Sequence, residues 1–278
     1  FHLYQPNIAL ISGIAWDHIN VFPTYDNYVE QFEIFIGKIT NGGILVYNED
    51  DSEVKRVSEA AANPIRKLPY FTPAYTVSDG VTLLETPEGP MPIEVFGAHN
   101  LNNLAGAKWI CQNMGVDEAD FYEAIASFKG ASKRLEKIAE GKGRVAYKDF
   151  AHSPSKVAAT TKAVKEQYPN RTLVACLELH TYSSLNAEFL KEYEGALDAA
   201  DVAVVFYSPD AVKIKQLDEV SYEQIAQSFN RKDLIIYTNP TEFKSYLFAQ
   251  DFNNAALLLM SSGNYGGLNF DEVKQLIS

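Results

Sequence analysis

The sequence predicts an α/β protein of two domains, the second built around a doubly wound, mainly parallel sheet. Three observations lead to this fold class. The chain has 278 residues, enough for two ordinary domains, and 46% of them are hydrophobic, enough for substantial cores. A continuous apolar run over residues 8–14 is typical of a strand buried on both faces of a sheet. After residue 143, apolar runs alternate regularly with segments of helical periodicity.

Composition restricts the possible partners and the compartment. Acidic residues outnumber basic residues by 36 to 24, a net charge of −12, and no stripe of Lys and Arg suggests a nucleic-acid-binding surface. Cys111 and Cys176 lie in apolar segments, which is typical of buried thiols in a reducing compartment. No apolar run reaches the ~20 residues that span a bilayer, and no signal-peptide pattern opens the chain. We therefore expect a cytoplasmic bacterial protein without a nucleic-acid or membrane partner.

The first domain is predicted to begin with alternating strands and helices. Strands are expected over residues 8–14 and 44–47, and helices over residues 25–38, from Asn100 onward, and over residues 117–128. Between them, residues 49–92 are harder to interpret. Alternating apolar and polar patches around Asp79 and Gly80 suggest a small β ribbon there.

The second domain shows the more regular alternation. Strands are predicted over residues 144–147, 172–177, 202–206, 234–237 and 255–260, and helices over residues 155–167, 185–199, 221–229, 241–249 and 270–277. Strands that alternate with helices in this way indicate a parallel sheet with helices on both faces. The boundary between the domains is placed at residues 128–130.

The stretch GAHNLNNLAGA, residues 97–107, has the pattern of a helix entrance. An apolar run ends at Phe96, Gly97 permits a tight turn, and apolar residues then recur at helical spacing. Asn100 and Asn103 are three residues apart, so both amides lie on one face of the first turn. An amide presents a donor beside an acceptor, which suits it to the edge of a purine. Spacing alone favours the simpler interpretation, an asparagine cap before a core helix.

Two further polar motifs stand where predicted strands end. Asp17 and His18 follow the first strand, at the edge where open α/β sheets place ligands, although a turn acid and a structural histidine give the same pattern. Asp149 follows the first long strand of the second domain, where it also fits a turn, and Ser153 before Pro154 makes a good helix start. The residues alone do not separate a binding site from a local structural role.

The stretch GAHNLNNLAGA resembles the G-x-H-N-x-x-N-x-x-A-A motif of the Mur ligases, the ATP-dependent amide-forming enzymes of bacterial peptidoglycan synthesis. The resemblance implies that His99, Asn100 and Asn103 belong to the ATP site, where the asparagines help to hold the base. It also implies the fold: residues 1–127 resemble the later part of the central ATPase domain, and residues 128–278 the Rossmann-like C-terminal domain.

The segment that contains Asp17 and His18 resembles the family's D-H-x-[DN] segment, whose histidine binds a magnesium ion beside the nucleotide phosphates. The resemblance implies that His18 is a metal ligand, with Asp17 orienting it. A neutral imidazole can bind such a cation, although oxygen ligands usually dominate around magnesium. Some family members carry a carbamylated lysine on the following helix. That position falls on Phe32 here, which favours the subgroup that acts on UDP-N-acetylmuramate itself.

Two segments of the second domain extend the resemblance. ASKRLE resembles an R-R-x-E segment whose arginine reaches the nucleotide; Arg134 matches the second arginine, and Lys133 replaces the first without its bidentate fork. KDFAHSP resembles the D-[DY]-[YF]-[AG]-H-[HN]-P segment, in which the aspartate contacts the ribose. The resemblance therefore implies nucleotide-binding roles for Arg134 and Asp149, and catalytic roles for His152 and Lys133.

The glycine-rich ending MSSGNYGG, residues 260–267, is a weak pattern by itself, and a tight turn is the simpler interpretation. It is similar to the ending M-S-N-G-G-F-G-G of the recycling branch, the murein peptide ligases. That similarity implies ATP- and Mg²⁺-dependent joining of UDP-N-acetylmuramate to the tripeptide L-alanyl-γ-D-glutamyl-meso-diaminopimelate through an acyl phosphate. Two alternatives stay open: a UDP-N-acetylmuramate–L-alanine ligase, and a ligase-derived binding module without catalysis.

The sequence contains no G-x-x-x-x-G-K-[ST] phosphate loop. It begins at Phe1 rather than at a methionine and runs almost at once into the first strand. Together with the resemblance, these features indicate a fragment whose phosphate loop lies upstream. We therefore expect that these 278 residues alone do not catalyse the ligation.

Overall fold

A computed structural model describes residues 2–78, 80–218 and 220–278 of the chain. The chain divides into two compact units, one ending at Lys129 and the other beginning at Gly130. Each unit contains a sheet with parallel strands. Within the described residues, no helix is long and apolar enough to cross a membrane.

The first unit contains a three-stranded parallel sheet whose strands alternate with helices. In chain order the elements are β1 (Ile8–Ile11), α1 (Tyr25–Gly37), β2 (Ile44–Asn48), α2 (Ser52–Ala60) and β3 (Arg66–Tyr70). The strands lie in the order β1-β2-β3. Val29 and Ile36 of α1 belong to one buried cluster with Ile11 and Leu45 of the sheet. Because the three strands run in one direction, their carboxyl ends meet at one edge.

An antiparallel ribbon and two helices complete the first unit. They are β4 (Tyr75–Ser78), β5 (Val81–Thr86), β6 (Gly89–Ile93), α3 (Ala98–Asn113) and α4 (Glu118–Ala126). The predicted ribbon is present as a three-stranded sheet in the order β4-β5-β6, although Asp79 itself lies outside the described residues. Leu84 and Ile93 of the ribbon pack with Leu101 and Leu104 of α3. One face of α3 is thereby fixed against the ribbon.

The second unit is built on a six-stranded sheet. Its elements are β7 (Glu136–Gly141), β8 (Arg144–Asp149), α5 (Pro154–Gln167), β9 (Thr172–Leu179), β10 (Val202–Tyr207), α6 (Pro209–Ile214), α7 (Tyr222–Ser228), β11 (Ile235–Tyr237), α8 (Pro240–Phe248), β12 (Ala255–Met260) and α9 (Phe270–Ile277). The strand order is β11-β10-β9-β12-β8-β7, and every neighbouring pair is parallel except β7 with β8. All of β12, and all of β9 after Thr172, is buried, as expected for strands covered on both faces. The predicted α/β class is confirmed.

One predicted helix is wrong. Residues 185–199 form two short 3₁₀ turns, Ser183–Leu185 and Leu190–Tyr193, instead of an α-helix. The side chain of Asn186 accepts the backbone N–H groups of the second and third residues after it, and so competes with helical bonding. Gly195 then adopts a φ of 73°, a left-handed conformation that ends any helical run.

Several elements were not predicted from the sequence, chiefly within residues 49–92. Helix α2 is short, and its start depends on Asp51, whose Oδ1 accepts the N–H groups of Glu53 and Val54, each at 3.0 Å. Strands β3, β6 and β7 and helix α6 were also missed, and β1 is shorter than the predicted strand. Cys176 is buried, as predicted, whereas Cys111 is only half-buried; both are free thiols.

Candidate functional site

The first candidate region lies after β1, at the carboxyl edge of the parallel sheet in the first unit. His18 adopts a φ of 56°, and its backbone N–H donates to the buried Asp17 carboxylate, with N–Oδ1 at 2.7 Å. The His18 carbonyl accepts the N–H groups of Val21 and Phe22. These bonds fix the turn and leave the His18 side chain 65% exposed, with Nε2 3.9 Å from Asp17 Oδ2.

The donor set around His18 determines what kind of metal site it fits. Among the described residues, no group of three or more His, Cys, Asp or Glu side chains is arranged to hold a metal ion. The exposed imidazole of His18 offers one ligand. Magnesium typically keeps several water ligands and binds substrate phosphates rather than a cage made by the protein alone. The residues therefore fit a single-ligand contribution to a magnesium–nucleotide site, and that role stays a prediction.

The ends of the three strands are joined by a network of polar side chains. Asn48, the last residue of β2, donates from Nδ2 to the Ser12 carbonyl at 3.0 Å, while its Oδ1 accepts the Asp50 N–H at 3.0 Å. Asp50 Oδ2 accepts the Thr72 N–H at 2.7 Å. Asn102 of α3 donates from Nδ2 to Asn48 Oδ1 at 2.9 Å. No role was predicted for Asn102, although it lies within the stretch GAHNLNNLAGA.

The beginning of α3 carries the three residues assigned to the ATP site. The Asn100 amide donates from Nδ2 to the Phe96 carbonyl at 2.9 Å, a bond that uses only its donor end. Asn103, one turn further, is exposed. His99 is half-buried, and burial lowers the pKa of its imidazole from 6.5 to about 4, so the ring is neutral at physiological pH. Gly97 opens the helix with a φ of 85° and provides no side-chain cap.

In the second unit, Asp149 joins the two segments that the resemblance singled out. Its Oδ2 accepts the N–H of Leu135 and its Oδ1 the N–H of Ala151, both at 2.5 Å. The carboxylate is 8% exposed, and burial raises its pKa against the opposing effects of these two bonds and of Arg134. In this structure Asp149 therefore fixes the path of the chain around it, and contact with a ribose stays a prediction.

The segment with Lys133 and Arg134 lies directly against the loop after β8. The Lys133 carbonyl accepts the Phe150 N–H at 2.9 Å, and the Arg134 guanidinium lies 5.3 Å from the centroid of the Phe150 ring. Lys133 has a φ of 58°, and its N–H donates to Glu136, which lowers the pKa of that carboxyl. Both cationic side chains are exposed, so they can meet an anionic ligand.

His152 is placed inside the same loop. Its Nδ1 lies 2.7 Å from the Phe150 carbonyl, its ring is edge-on to the Phe150 ring, and its own carbonyl accepts the Tyr193 hydroxyl. The residue is 7% exposed. For Nδ1 to donate to that carbonyl, the neutral imidazole must carry its proton there. The structure therefore brings together four predicted site residues, Lys133, Arg134, Asp149 and His152, and their catalytic and binding roles stay predictions.

A second polar cluster at the same sheet edge was missed. Glu178 lies near the end of β9. Its Oε2 accepts two hydrogen bonds, one from the Ser261 hydroxyl and one from the Tyr265 N–H at 2.8 Å. Its Oε1 lies 3.7 Å from His180 Nδ1. The Ser261 N–H donates to the Asp149 carbonyl at 2.9 Å, which connects this cluster to the loop after β8. A Cβ at Gly263 would lie 2.8 Å from Glu178 Oε2, so the glycine-rich segment packs closely onto this carboxylate.

Comparison with protein families identifies both units. The profile described as the Mur ligase middle domain matches residues 2–111, and the profile described as Mur ligase, glutamate ligase domain, matches residues 133–263. A curated relative, the UDP-N-acetylmuramate–L-alanine ligase of Caldicellulosiruptor bescii, is 30% identical over 217 residues, 74% of this chain and 47% of the relative. The chain spans about half the length of the curated relatives it matches.

Solved structures share the fold over nearly the whole chain. The murein peptide ligase of Psychrobacter arcticus matches with a TM-score of 0.62 and 16% identity, covering 98% of this chain and 58% of that one. The MurF ligase of Thermotoga maritima, solved in complex with ADP, matches with a TM-score of 0.68 and 17% identity, covering 98% and 62%. At these identities the likeness shows the fold alone.

Proposed function

The chain belongs to the Mur ligase family, and from this membership we propose that the protein carrying it is an ATP-dependent ligase that forms an amide bond on UDP-N-acetylmuramate. The observation that carries the proposal is the meeting of two motif segments in the second unit. Asp149 binds the N–H of Leu135, fourteen residues earlier, and the Lys133–Phe150 backbone bond joins the same segments. Cationic side chains and a buried histidine thereby share one sheet edge.

We propose that the amine substrate is L-alanine. This proposal replaces the tripeptide, which the ending MSSGNYGG favours. The revision rests on the curated relative from Caldicellulosiruptor bescii, whose name specifies L-alanine, because 30% identity over 217 residues is stronger support than one eight-residue ending. The murein peptide ligase is a structural neighbour at 16% identity, a level that speaks only for the fold. The tripeptide is the competing substrate in the test below.

The proposed reaction has two chemical steps. A carboxylate oxygen of the muramyl group attacks the γ-phosphorus of ATP and ADP leaves. The amine nitrogen then attacks the acyl carbon and gives up a proton to solvent. The bond between the acyl carbon and the bridging oxygen breaks, so the phosphate leaves with one oxygen that came from the carboxylate. Charge is crowded among phosphates and carboxylate, so positioned cations lower the barrier. Lys133 and Arg134 are exposed cations on one segment and suit this task.

We propose that the remaining predicted residues bind or support the nucleotide. In the first unit, Asn100 and Asn103 lie three residues apart near the beginning of α3, where their amides can hydrogen-bond the base, beside the neutral His99. His18 offers one exposed ligand for Mg²⁺ carried by the nucleotide. When bound, Mg²⁺ would offset negative charge on the transferred phosphoryl group. In the second unit, Asp149 holds the segment that presents Arg134.

Product analysis tests the proposal and the choice of amine. The full-length protein that carries this chain is incubated with ATP, Mg²⁺, UDP-N-acetylmuramate and either L-alanine or the tripeptide, and the products are identified by mass spectrometry. We expect UDP-N-acetylmuramoyl-L-alanine together with ADP and phosphate. Product with the tripeptide alone contradicts the choice of L-alanine and restores the recycling reaction. If folded protein forms no product with either amine, the ligase proposal is contradicted and the binding module without catalysis becomes the better interpretation.

Variants in the same assay test the assigned residues. Asn103→Ala removes an exposed amide from the proposed base contact, and we expect the KM for ATP to rise by up to about tenfold, the range of one hydrogen bond. His18→Ala is expected to raise the Mg²⁺ concentration needed for half-maximal rate. Asn113→Ala is the matched control, since Asn113 ends the same helix and donates only to the Trp109 carbonyl. Unchanged kinetics in Asn103→Ala would remove that residue from the ATP site.

A further inference from the structure

Asn102 is a polar residue on an otherwise apolar face of α3. It is 7% exposed, and Ala105 and Gly106, three and four residues further along the same face, are also buried. A buried amide costs free energy unless it is hydrogen-bonded, so a leucine would serve equally well for packing alone. Asn102 instead donates from Nδ2 to Asn48 Oδ1 at 2.9 Å and to Thr72 Oγ1 at 3.2 Å.

These two bonds connect α3 to the segments that follow all three strands of the parallel sheet. Asn48 reaches the segment after β1 through the Ser12 carbonyl, and its Oδ1 also accepts the N–H of Asp50. Thr72, in the segment after β3, donates its N–H to Asp50 Oδ2. Strand ends and helix thus form one closed set of hydrogen bonds, whose members limit one another's movement.

Apolar packing against the ribbon and the sheet holds α3 in place, and hydrogen bonds add a directional constraint on its rotation. The helix approaches the sheet closely at Gly106, where a Cβ would lie 3.0 Å from Leu10 and from Tyr70. Such contacts are not directional and tolerate small rotations. Hydrogen bonds constrain direction, and Asn102 lies between Asn100 and Asn103 on the same helical turn. A bond that fixes Asn102 therefore also fixes the directions in which those two amides point.

We propose that Asn102 is a positioning residue of the nucleotide site: its bonds to Asn48 and Thr72 set the rotation of α3, and so aim Asn100 and Asn103 at the adenine edge. The inference rests on the proposed function, because it needs those two amides to contact the base. Beyond the proposed function, the inference states that selectivity for the base depends on Asn102, a residue that does not contact the nucleotide. Asn102 acts through the helix and takes no part in the chemistry.

Equilibrium titration of the full-length protein with fluorescent N-methylanthraniloyl ATP and GTP tests the proposal without requiring turnover. We expect Asn102→Leu to weaken ATP binding by about tenfold and GTP binding by less than about twofold, so that preference for adenine falls. A merely structural role would weaken both nucleotides alike. Asn113→Leu is the matched control on the same helix, where the side chain donates only to the Trp109 carbonyl, and both affinities should be unchanged.

The outcomes separate this proposal from the proposed function. Wild-type protein that binds neither nucleotide contradicts both proposals, and wild-type protein that binds ATP and GTP equally contradicts the positioning role alone. If folded Asn102→Leu keeps the wild-type preference for ATP over GTP, the positioning role alone is overturned. The same holds if Asn102→Leu loses affinity equally for both nucleotides. If circular dichroism shows that Asn102→Leu does not fold, Thr72→Val replaces it, since it removes one acceptor and keeps the side-chain shape. We then expect a loss of preference of about threefold, and an unchanged preference overturns the proposal.

Discussion

At the scale of single residues, burial is the largest influence on the pKa of two polar groups at these sites, His99 and Asp149. His99 has its imidazole pKa lowered by burial, and the buried Asp149 has its carboxyl pKa raised although two backbone N–H groups and Arg134 oppose the shift. These shifts follow from how each side chain packs. The motif pattern located both residues, but it contains no information on their protonation.

His99 makes stability depend on pH. Its folded pKa of about 4 lies below its ordinary 6.5, so as pH falls through this window the unfolded state takes up a proton that the folded state refuses. Stability should therefore decrease between about pH 6.5 and pH 4, with His99 contributing at most about 1.4 kcal/mol per pH unit. Urea unfolding of wild type and His99→Gln measures this contribution.

The comparison of slopes decides the outcome for His99. The stability of His99→Gln should fall less steeply with acid than that of wild type, while the two slopes agree at about pH 7–8, where the imidazole is neutral in both states. Parallel curves through the acid window would mean that His99 is protonated as readily in the folded protein as in the unfolded chain.

The same scale shows what a sequence pattern can and cannot predict. Asn100 and Asn103 could be proposed as site residues because their spacing and motif are local. Asn102 could not, because its role depends on Asn48, 54 residues earlier, and on Thr72, 30 residues earlier. Glu178 was missed for the same reason, since Ser261 follows it by 83 residues. A pattern does not reveal partners that only the fold brings together.

At the scale of elements, the glycine-rich segment after β12 is the clearest case of close packing. Glu178 is 3% exposed and is held by the Ser261 hydroxyl and the Tyr265 N–H, so its carboxylate cannot easily shift. A Cβ at Gly263 would lie 2.8 Å from Glu178 Oε2 and 3.0 Å from the His180 ring. This segment therefore requires glycine at position 263 for steric reasons.

Substitution by alanine tests this packing. Gly263→Ala should reduce the free energy of unfolding by about 1–3 kcal/mol, because a fixed carboxylate and a ring must move to admit the methyl group. Gly37→Ala is the matched control. Gly37 ends α1, and apart from its chain neighbours and its own helix backbone no described residue lies within 4 Å of an added Cβ, so the substitution should be neutral or slightly stabilising. Guanidinium unfolding compares the two. Wild-type stability in Gly263→Ala would show that the segment yields without cost.

Elements were predictable where periodicity was long and local signals agreed. Helix α9 was expected over residues 270–277 and lies at Phe270–Ile277, with Asn269 as its cap. The helix expected over residues 185–199 failed because Asn186 and Gly195 favour turns, and apolar spacing does not reveal that competition. Residues 49–92 were hard to predict because the strands there are short and three of them are antiparallel.

At the scale of the whole molecule, each unit has candidate ligand residues where a parallel strand ends. His18 follows β1 in the first unit, and Asp149 and His152 lie at the end of β8 in the second. Both units match Mur ligase profiles in the order expected from the resemblance. The chain also spans about half of each curated relative, so the ligase activity is a proposal.

The central claim is that this protein activates a carboxylate as an acyl phosphate before an amine attacks it. The most direct test uses UDP-N-acetylmuramate with ¹⁸O in its carboxylate, incubated with the full-length protein, ATP, Mg²⁺ and L-alanine. Mass spectrometry of the released phosphate then follows the label. We predict that each phosphate released with amide product carries one ¹⁸O from the carboxylate. Unlabelled phosphate accompanying ATP consumption would mean that water, not the muramyl carboxylate, attacks the nucleotide, and would contradict the proposed ligase.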